Sequence, residues 1–215
     1  MDSSMEDGHY FYDEDMRARV TANLRAFTRN SSPAEGLKRA AVAIALIRDD
    51  RGEGAYVLTR RTPSLNSHAG QFALPGGRMD EGETPVRGAL RELREEVNMD
   101  LDEDAVLGVL DDYRTQSGYL ITPIVVWAGA NAEMSPNPAE VARIHQVAFR
   151  ELNRPGSPEF VDIPESDRPV IRLLMGENNA LHAPTAAIVY QFREVCLHGR
   201  DTRVGHLGEP VWAWR

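Results

Sequence analysis

Three glutamates, Glu92, Glu95 and Glu96, follow a glycine pair, Gly76-Gly77, by a short acidic loop and a helix-like stretch, GGRMDEGETPVRGALRELREEVNM over residues 76–99. At ~100° per residue, Val86, Ala89, Leu90, Leu93 and Val97 share one arc of that helix, and the three glutamates share the neighbouring arc. Thr84 is suited to the N-cap, Pro85 to the first helical position and Asn98 to a left-handed C-terminal cap. Like charges so close on one helix repel. A divalent cation would relieve that repulsion, and oxygen ligands favour hard ions such as Mg²⁺ or Mn²⁺. The competing reading is a solvated acidic face. Gly88 costs about 1 kcal/mol in a helix interior relative to Ala; on the glutamates' arc, its missing side chain would leave room for a substrate.

The complete spacing resembles the Nudix box: Gly77, Glu83, Arg91-Glu92-Leu93 and Glu95-Glu96 stand in its order and at its intervals. Met99 loosely fits the last apolar position. Asn98 stands where the family usually has Gly, and Asn tolerates the left-handed conformation. The resemblance implies a Nudix-type α/β/α sandwich around a mixed β-sheet. It also implies a hydrolase that cleaves the pyrophosphate of a nucleoside diphosphate derivative with Mg²⁺ or Mn²⁺. On that basis Glu92 and Glu96 are the main metal ligands, Glu95 assists and the Gly76 carbonyl joins them. Glu83 and Arg91 form a structural ion pair. Nudix enzymes recruit the general base from different places. Glu95 and Glu96 are catalytic candidates within the box and Glu140 is the candidate outside it, with His68 an alternative.

The segment ahead of the box, VLTRRTPSLNSHAGQFALPGG, is similar to the motif of the coenzyme A pyrophosphatases at Leu58, Thr59, Arg61, Gly70, Pro75, Gly76 and Gly77. PNPAEV at residues 136–141 is similar to a later stretch of that group. Arg60, Arg61, Asn66, His68 and Gly70 are the substrate-binding candidates. Asn66 replaces a usual Arg and Leu74 a usual Phe; the first change removes a charge that strengthens a phosphate contact. The resemblance favours coenzyme A or an acyl-coenzyme A. ADP-ribose, a dinucleoside polyphosphate and a nucleoside triphosphate stay open as substrates, and so does a domain that binds a nucleotide without cleaving it. The intact glutamates argue against the last.

The elements that must position these groups are readable along the chain. Residues 40–47, AAVAIALI, form a continuous apolar run that predicts a buried strand, and residues 55–61 its hairpin partner. Residues 105–113, 119–128 and 140–149 predict further strands, and 159–163 with 169–174 another hairpin. Met16, Val20, Leu24 and Phe27 recur at helical spacing and predict a brace-like helix over 13–28, preceded by a mobile tail over 1–12. A late helix is predicted over 185–198, ended by Gly199. The expected organisation is a tail and helix over 1–35, the catalytic domain over 36–199, and a C-terminal tail over 200–215. Trp212 and Trp214 are costly to expose, so that tail is expected to dock on the domain or on the second subunit of a homodimer.

The chain of 215 residues suits one decorated domain. Its net charge of −9 argues against a nucleic-acid-coating surface, so a polyanionic substrate must be met by local arginines and metal. Lys38 is the only lysine. Cys196 is the only cysteine, which excludes an internal disulfide and a multi-cysteine zinc site. With no membrane-length apolar run and no basic-then-apolar leader, the expectation is a cytoplasmic protein with a small-molecule nucleotide substrate and no membrane partner.

Overall fold

The computed structural model describes residues 10–62, 71–176 and 179–214. Its first helix, α1 (Glu14–Ala26), starts at Asp13, whose carboxylate accepts from the Met16 amide at 2.9 Å. Met16, Val20, Leu24 and Phe27 are all buried. The chain then forms β1 (Lys38–Arg48), β2 (Gly54–Arg61), β3 (Phe72–Ala73), β4 (Gly76–Arg78) and α2 (Pro85–Val97). It continues through β5 (Val106–Val109), β6 (Tyr113–Arg114), β7 (Tyr119–Trp127) and β8 (Val141–Ala148). A separate three-stranded sheet of β9 (Glu159–Ile163), β10 (Ser166–Met175) and β11 (Asn179–His182) precedes α3 (Thr185–Phe192).

The main sheet runs β3-β2-β1-β7-β5, with β4 on β1, β6 on β7 and β8 on β2. β1 and β7 are parallel, from Lys38 opposite Tyr119 to Leu46 opposite Trp127, and the remaining pairs are antiparallel. The sheet is therefore mixed, and β1 is covered on both faces, which explains its unbroken apolar run. Ala41, Ala43, Ala45 and Ile47 point to one side, where they pack with Ala89, Leu93 and Val97 of α2. Small alanines let that helix lie close to the strand. Ala40, Ile44 and Leu46 point to the other side, into a core shared with α1 and α3. Helices on both faces make the expected α/β/α sandwich. Among the described residues, no helix is long and apolar enough to cross a membrane.

Several local features depart from the sequence expectations. The mobile tail over 1–12 does not extend to its last residues: Tyr10 and Tyr12 are buried. Tyr12 stacks on Trp127 at 3.9 Å and donates its hydroxyl hydrogen to the Leu46 carbonyl at 3.0 Å. The strand expected over 105–113 is interrupted between β5 and β6. The hairpin after residue 159 gains a third strand, β11. The late helix ends as α3 and continues as a π-helical turn, Arg193–Leu197, whose Cys196 carbonyl accepts from Asn23 of α1 at 2.9 Å.

After α3 the chain returns across the sandwich. Val204, Leu207 and Ala213 are buried there, whereas Trp212 stays about half exposed, at 51%. The Glu209 carboxylate is buried, accepting from the Gln116 amide at 3.2 Å, and burial pushes its pKa up to about 7. A carboxyl raised in the fold favours the protonated state. Its stabilising effect is therefore full below the ordinary range near 4.5 and is lost as pH rises through about 7. Glu209→Gln is expected to stabilise the protein by about 2–3 kcal/mol at pH 8 and by little at pH 5. Urea unfolding at both pH values measures this, and an equal effect at the two would contradict it.

Candidate active site

The site is built on α2. Thr84 accepts from the Arg87 amide at 3.3 Å, Pro85 opens the first turn, and Asn98 closes the helix in the left-handed region at φ 54°. The apolar arc turns Ala89, Leu93 and Val97 into the core. The adjacent arc places Glu92 and Glu96 at the edge of the sheet, where both are buried, while Glu95 is exposed. Glu96 is 2% exposed and accepts from the Gly76 amide at 3.3 Å. Its other oxygen lies 3.5 Å from the Arg61 guanidinium. Burial raises the Glu96 pKa to about 7, helped by the negative charge of Glu92; Arg61 opposes the shift. Burial likewise raises Glu92.

Arg91 ties loop to helix. It donates to both oxygens of Glu83, at 3.0 and 3.1 Å, to the Arg78 carbonyl at 3.1 Å, and to Glu92 and Glu95 at 2.9 Å each. Glu83 in turn accepts from the Asp80 amide at 2.9 Å, and the Arg91 hydrogen bonds hold its carboxyl below the usual range. A Cβ on Gly77 would land on the Glu92 carboxylate, which would have to move aside. Gly88 has a different purpose from the one its arc suggested. It is buried, and a Cβ would meet Glu83 at 3.1 Å and Met79 at 3.3 Å. Its missing side chain admits the Glu83 loop and leaves no opening for a substrate.

Glu140 lies just before β8 and is partly buried. It is near enough to Glu92 and Glu96 for its charge to raise both. Sequence reasoning missed what holds it there. The Ser135 and Asn137 amides donate to the Val97 and Glu96 carbonyls at 2.9 Å, and the Asn137 side chain donates to the Glu95 carbonyl at 3.1 Å. Asn98 reaches back to Ser135 at 3.0 Å. This loop caps the open carbonyls of α2. The only signal was the Asn-Pro pair, a common turn initiator.

The substrate-binding candidates divide. Arg61 faces Glu96, but its neighbour Arg60 points to the opposite face of β2 by strand alternation. Asn66, His68 and Gly70 lie outside the described residues. The hard oxygen donors of Glu92, Glu96 and the Gly76 carbonyl suit Mg²⁺ or Mn²⁺ chemically, and two buried, mutually repelling carboxylates gain from a cation. Among the described residues, however, no three such side chains converge into a ready ligand set, and Glu92 and Glu95 both pair with the same Arg91 nitrogen at 2.9 Å.

Fold and site together define an α/β/α sandwich whose central helix presents buried carboxylates behind a glycine turn. Residues 37–173 match the NUDIX domain profile, more than half of the chain, and the chain belongs to the Nudix family. It is 39% identical over 127 residues to the uncharacterized Nudix hydrolase NudL of Photorhabdus laumondii, covering 59% of this chain and 67% of that one. It is 41% identical over 115 residues to NudL of Yersinia pestis, covering 53% of this chain and 57% of that one. The chain thus spans between 57% and 67% of these curated relatives' length. A MutT/nudix family protein from Enterococcus faecalis superposes with a TM-score of 0.58 at 12% identity, over 87% of this chain and 76% of that one, which shows the shared fold.

Proposed function

We propose that this chain is a divalent-metal-dependent pyrophosphohydrolase acting on a nucleoside diphosphate derivative, with coenzyme A or an acyl-coenzyme A as substrate. The observation that carries the reading is the buried Glu92–Glu96 pair, whose carboxylates the fold holds together against their charge. Bound Mg²⁺ or Mn²⁺ would supply charge neutralisation on the phosphate oxygens and a more acidic water. Glu92, Glu96 and the Gly76 carbonyl would hold the ion, with Glu95 assisting. Arg61 offers a cation to a phosphate oxygen at the same strand end. The Glu140 carboxylate is the base that takes the proton of the attacking water. Glu83 and Arg91 keep the loop and helix in register. The products would be a 3′-phosphorylated adenosine nucleotide and a phosphopantetheine.

The substrate is supported by the motif of residues 58–77 and by PNPAEV, and is tested by specificity constants with Mg²⁺ on coenzyme A, ADP-ribose and nucleoside triphosphates. Coenzyme A is expected to lead. ADP-ribose turned over far better than coenzyme A would overturn the substrate but leave the reaction class. Tight nucleotide binding with no turnover of any of them would overturn both.

A further inference from the structure

Glu140 stands close enough to Glu92 and Glu96 for its charge to act on both. Among the described residues its carboxylate has no hydrogen bond and no ion pair. No side-chain partner aims it, so the backbone beneath it sets where it points. That backbone is held from two sides. On the helix side, the Glu140 and Val141 amides donate to the Asn137 carbonyl at 3.1 and 2.8 Å. The Asn137 side chain links two segments: its oxygen accepts from the Ala139 amide at 3.2 Å, and its nitrogen donates to the Glu95 carbonyl at 3.1 Å. Pro136 and Pro138 flank it. Each fixes its own φ, and Pro138 steers Asn137 away from a helical conformation. On the strand side, the Thr62 amide donates to the Glu140 carbonyl at 3.0 Å and the Thr62 hydroxyl to the Ala139 carbonyl at 3.4 Å. Arg61, next to Thr62, is the residue whose guanidinium faces Glu96. The β2–β8 register slips at this place. Arg60 is opposite Arg143 and Arg61 is opposite Val141, so Ala142 is the extra residue of a β-bulge, which bends the strand end.

We infer that Asn137 is a positioning residue for the reaction: by joining the Ala139 amide to the Glu95 carbonyl, it sets where the Glu140 carboxylate stands relative to Glu92 and Glu96. The inference rests on the proposed hydrolase with Glu140 as its base. A base must lie within hydrogen-bond reach of the water it deprotonates. A misplacement of about 1 Å can cost about a hundredfold in rate. The clamp fastens the turn that carries Glu140 to the helix that carries the other glutamates, so base and glutamates keep one frame. Capping the helix does not require this side chain. The main-chain amides of Ser135 and Asn137 already meet the Val97 and Glu96 carbonyls at 2.9 Å. What the Asn137 side chain adds is the link from the helix end to the Glu140 turn.

The test uses the whole chain with saturating Mg²⁺, on whichever of coenzyme A, ADP-ribose and a nucleoside triphosphate the wild type cleaves best. The readouts are kcat, KM and, apart from turnover, Mn²⁺ affinity by calorimetry. Glu140→Gln is expected to lower kcat about a hundredfold or more, as loss of a general base does. Asn137→Ala is expected to lower kcat about tenfold or more. Its KM and Mn²⁺ affinity should stay within about twofold of wild type, because substrate and metal contacts are untouched. Asn137→Ser, whose hydroxyl still closes the local turn, should fall between, and it decides the matter if the Ala variant fails to fold. In the Glu140→Gln background, Asn137→Ala should cost little more, because the base it aims is gone. Wild-type kcat in both Asn137 variants beside a crippled Glu140→Gln would overturn the positioning role and leave the base standing. Losses that multiply in the double variant, or a weakened Mn²⁺ affinity in Asn137→Ala, would also overturn it, because Asn137 would then act other than through Glu140. Near-normal kcat in Glu140→Gln overturns the base and the positioning role with it. A wild type that cleaves none of these substrates overturns the hydrolase reading and both roles together.

Discussion

Glu96→Gln is expected to lower turnover roughly a hundredfold or more, about 3 kcal/mol in barrier, while making the metal-free protein more stable. The two effects have one cause. Glu96 is nearly fully buried beside Glu92, and its pKa is pushed up to about 7. A carboxyl raised in the fold costs nothing while it stays protonated, near pH 4.5 and below, and its cost is fully developed above about 7. Gln keeps the shape and removes the charge. The stability gap between variant and wild type should therefore widen from pH 5 to pH 8, reaching about 2–3 kcal/mol. Mg²⁺ should narrow it, because an ion bound only by the folded wild type stabilises that fold. Denaturant unfolding with and without Mg²⁺, alongside kcat, measures both halves. Near-normal turnover by Glu96→Gln, or a stability gap that ignores pH, would remove the role assigned to this residue.

Arg91→Ala is expected to destabilise the protein by about 3–5 kcal/mol, the range for breaking a buried pair by removing one partner. The guanidinium donates to Glu83, Glu92, Glu95 and the Arg78 carbonyl at 2.9–3.1 Å. Its loss leaves Glu83 and Glu92, each 12% exposed at the side chain, without their cation. Arg91→Lys keeps the charge but cannot reproduce the planar fork, so an intermediate loss is expected. Because Arg91 bridges the Glu92 and Glu95 carboxylates through one nitrogen, at 2.9 Å to each, its loss leaves the two like charges without their shared cation, and the Ala variant should weaken metal-free stability more at pH 8 than at pH 5. Urea unfolding measures the effect, and a loss below about 1 kcal/mol for Arg91→Ala would show that Arg91 is not the tie between loop and helix.

The helix bearing the glutamates was legible because every local rule agrees along residues 84–98: caps, proline, apolar arc and a left-handed Asn. The buried strand β1 was legible from its unbroken apolar run. What the sequence hid was mostly direction. Arg60 and Arg61 are neighbours in the chain, yet the strand sends one towards Glu96 and the other towards Arg143. Gly88 was placed on the correct arc, but only the fold shows that Glu83 fills the space beside it. The Asn137 clamp depends on a loop meeting a helix end about forty residues away in sequence, which no periodicity reports. β11 is four residues long, too short to give a pattern of its own.

We propose that Glu92 and Glu96 are held together to bind a cation used in pyrophosphate cleavage. The most direct test is the rate of coenzyme A hydrolysis, with ADP-ribose and nucleoside triphosphates in parallel, as Mg²⁺ or Mn²⁺ is titrated into chelator-treated protein. The expected result is no turnover without metal, and saturable turnover of at least one substrate on its addition, with the pyrophosphate bond cleaved. Full activity in excess chelator, or failure of both ions to elicit turnover of any of these substrates, would contradict it.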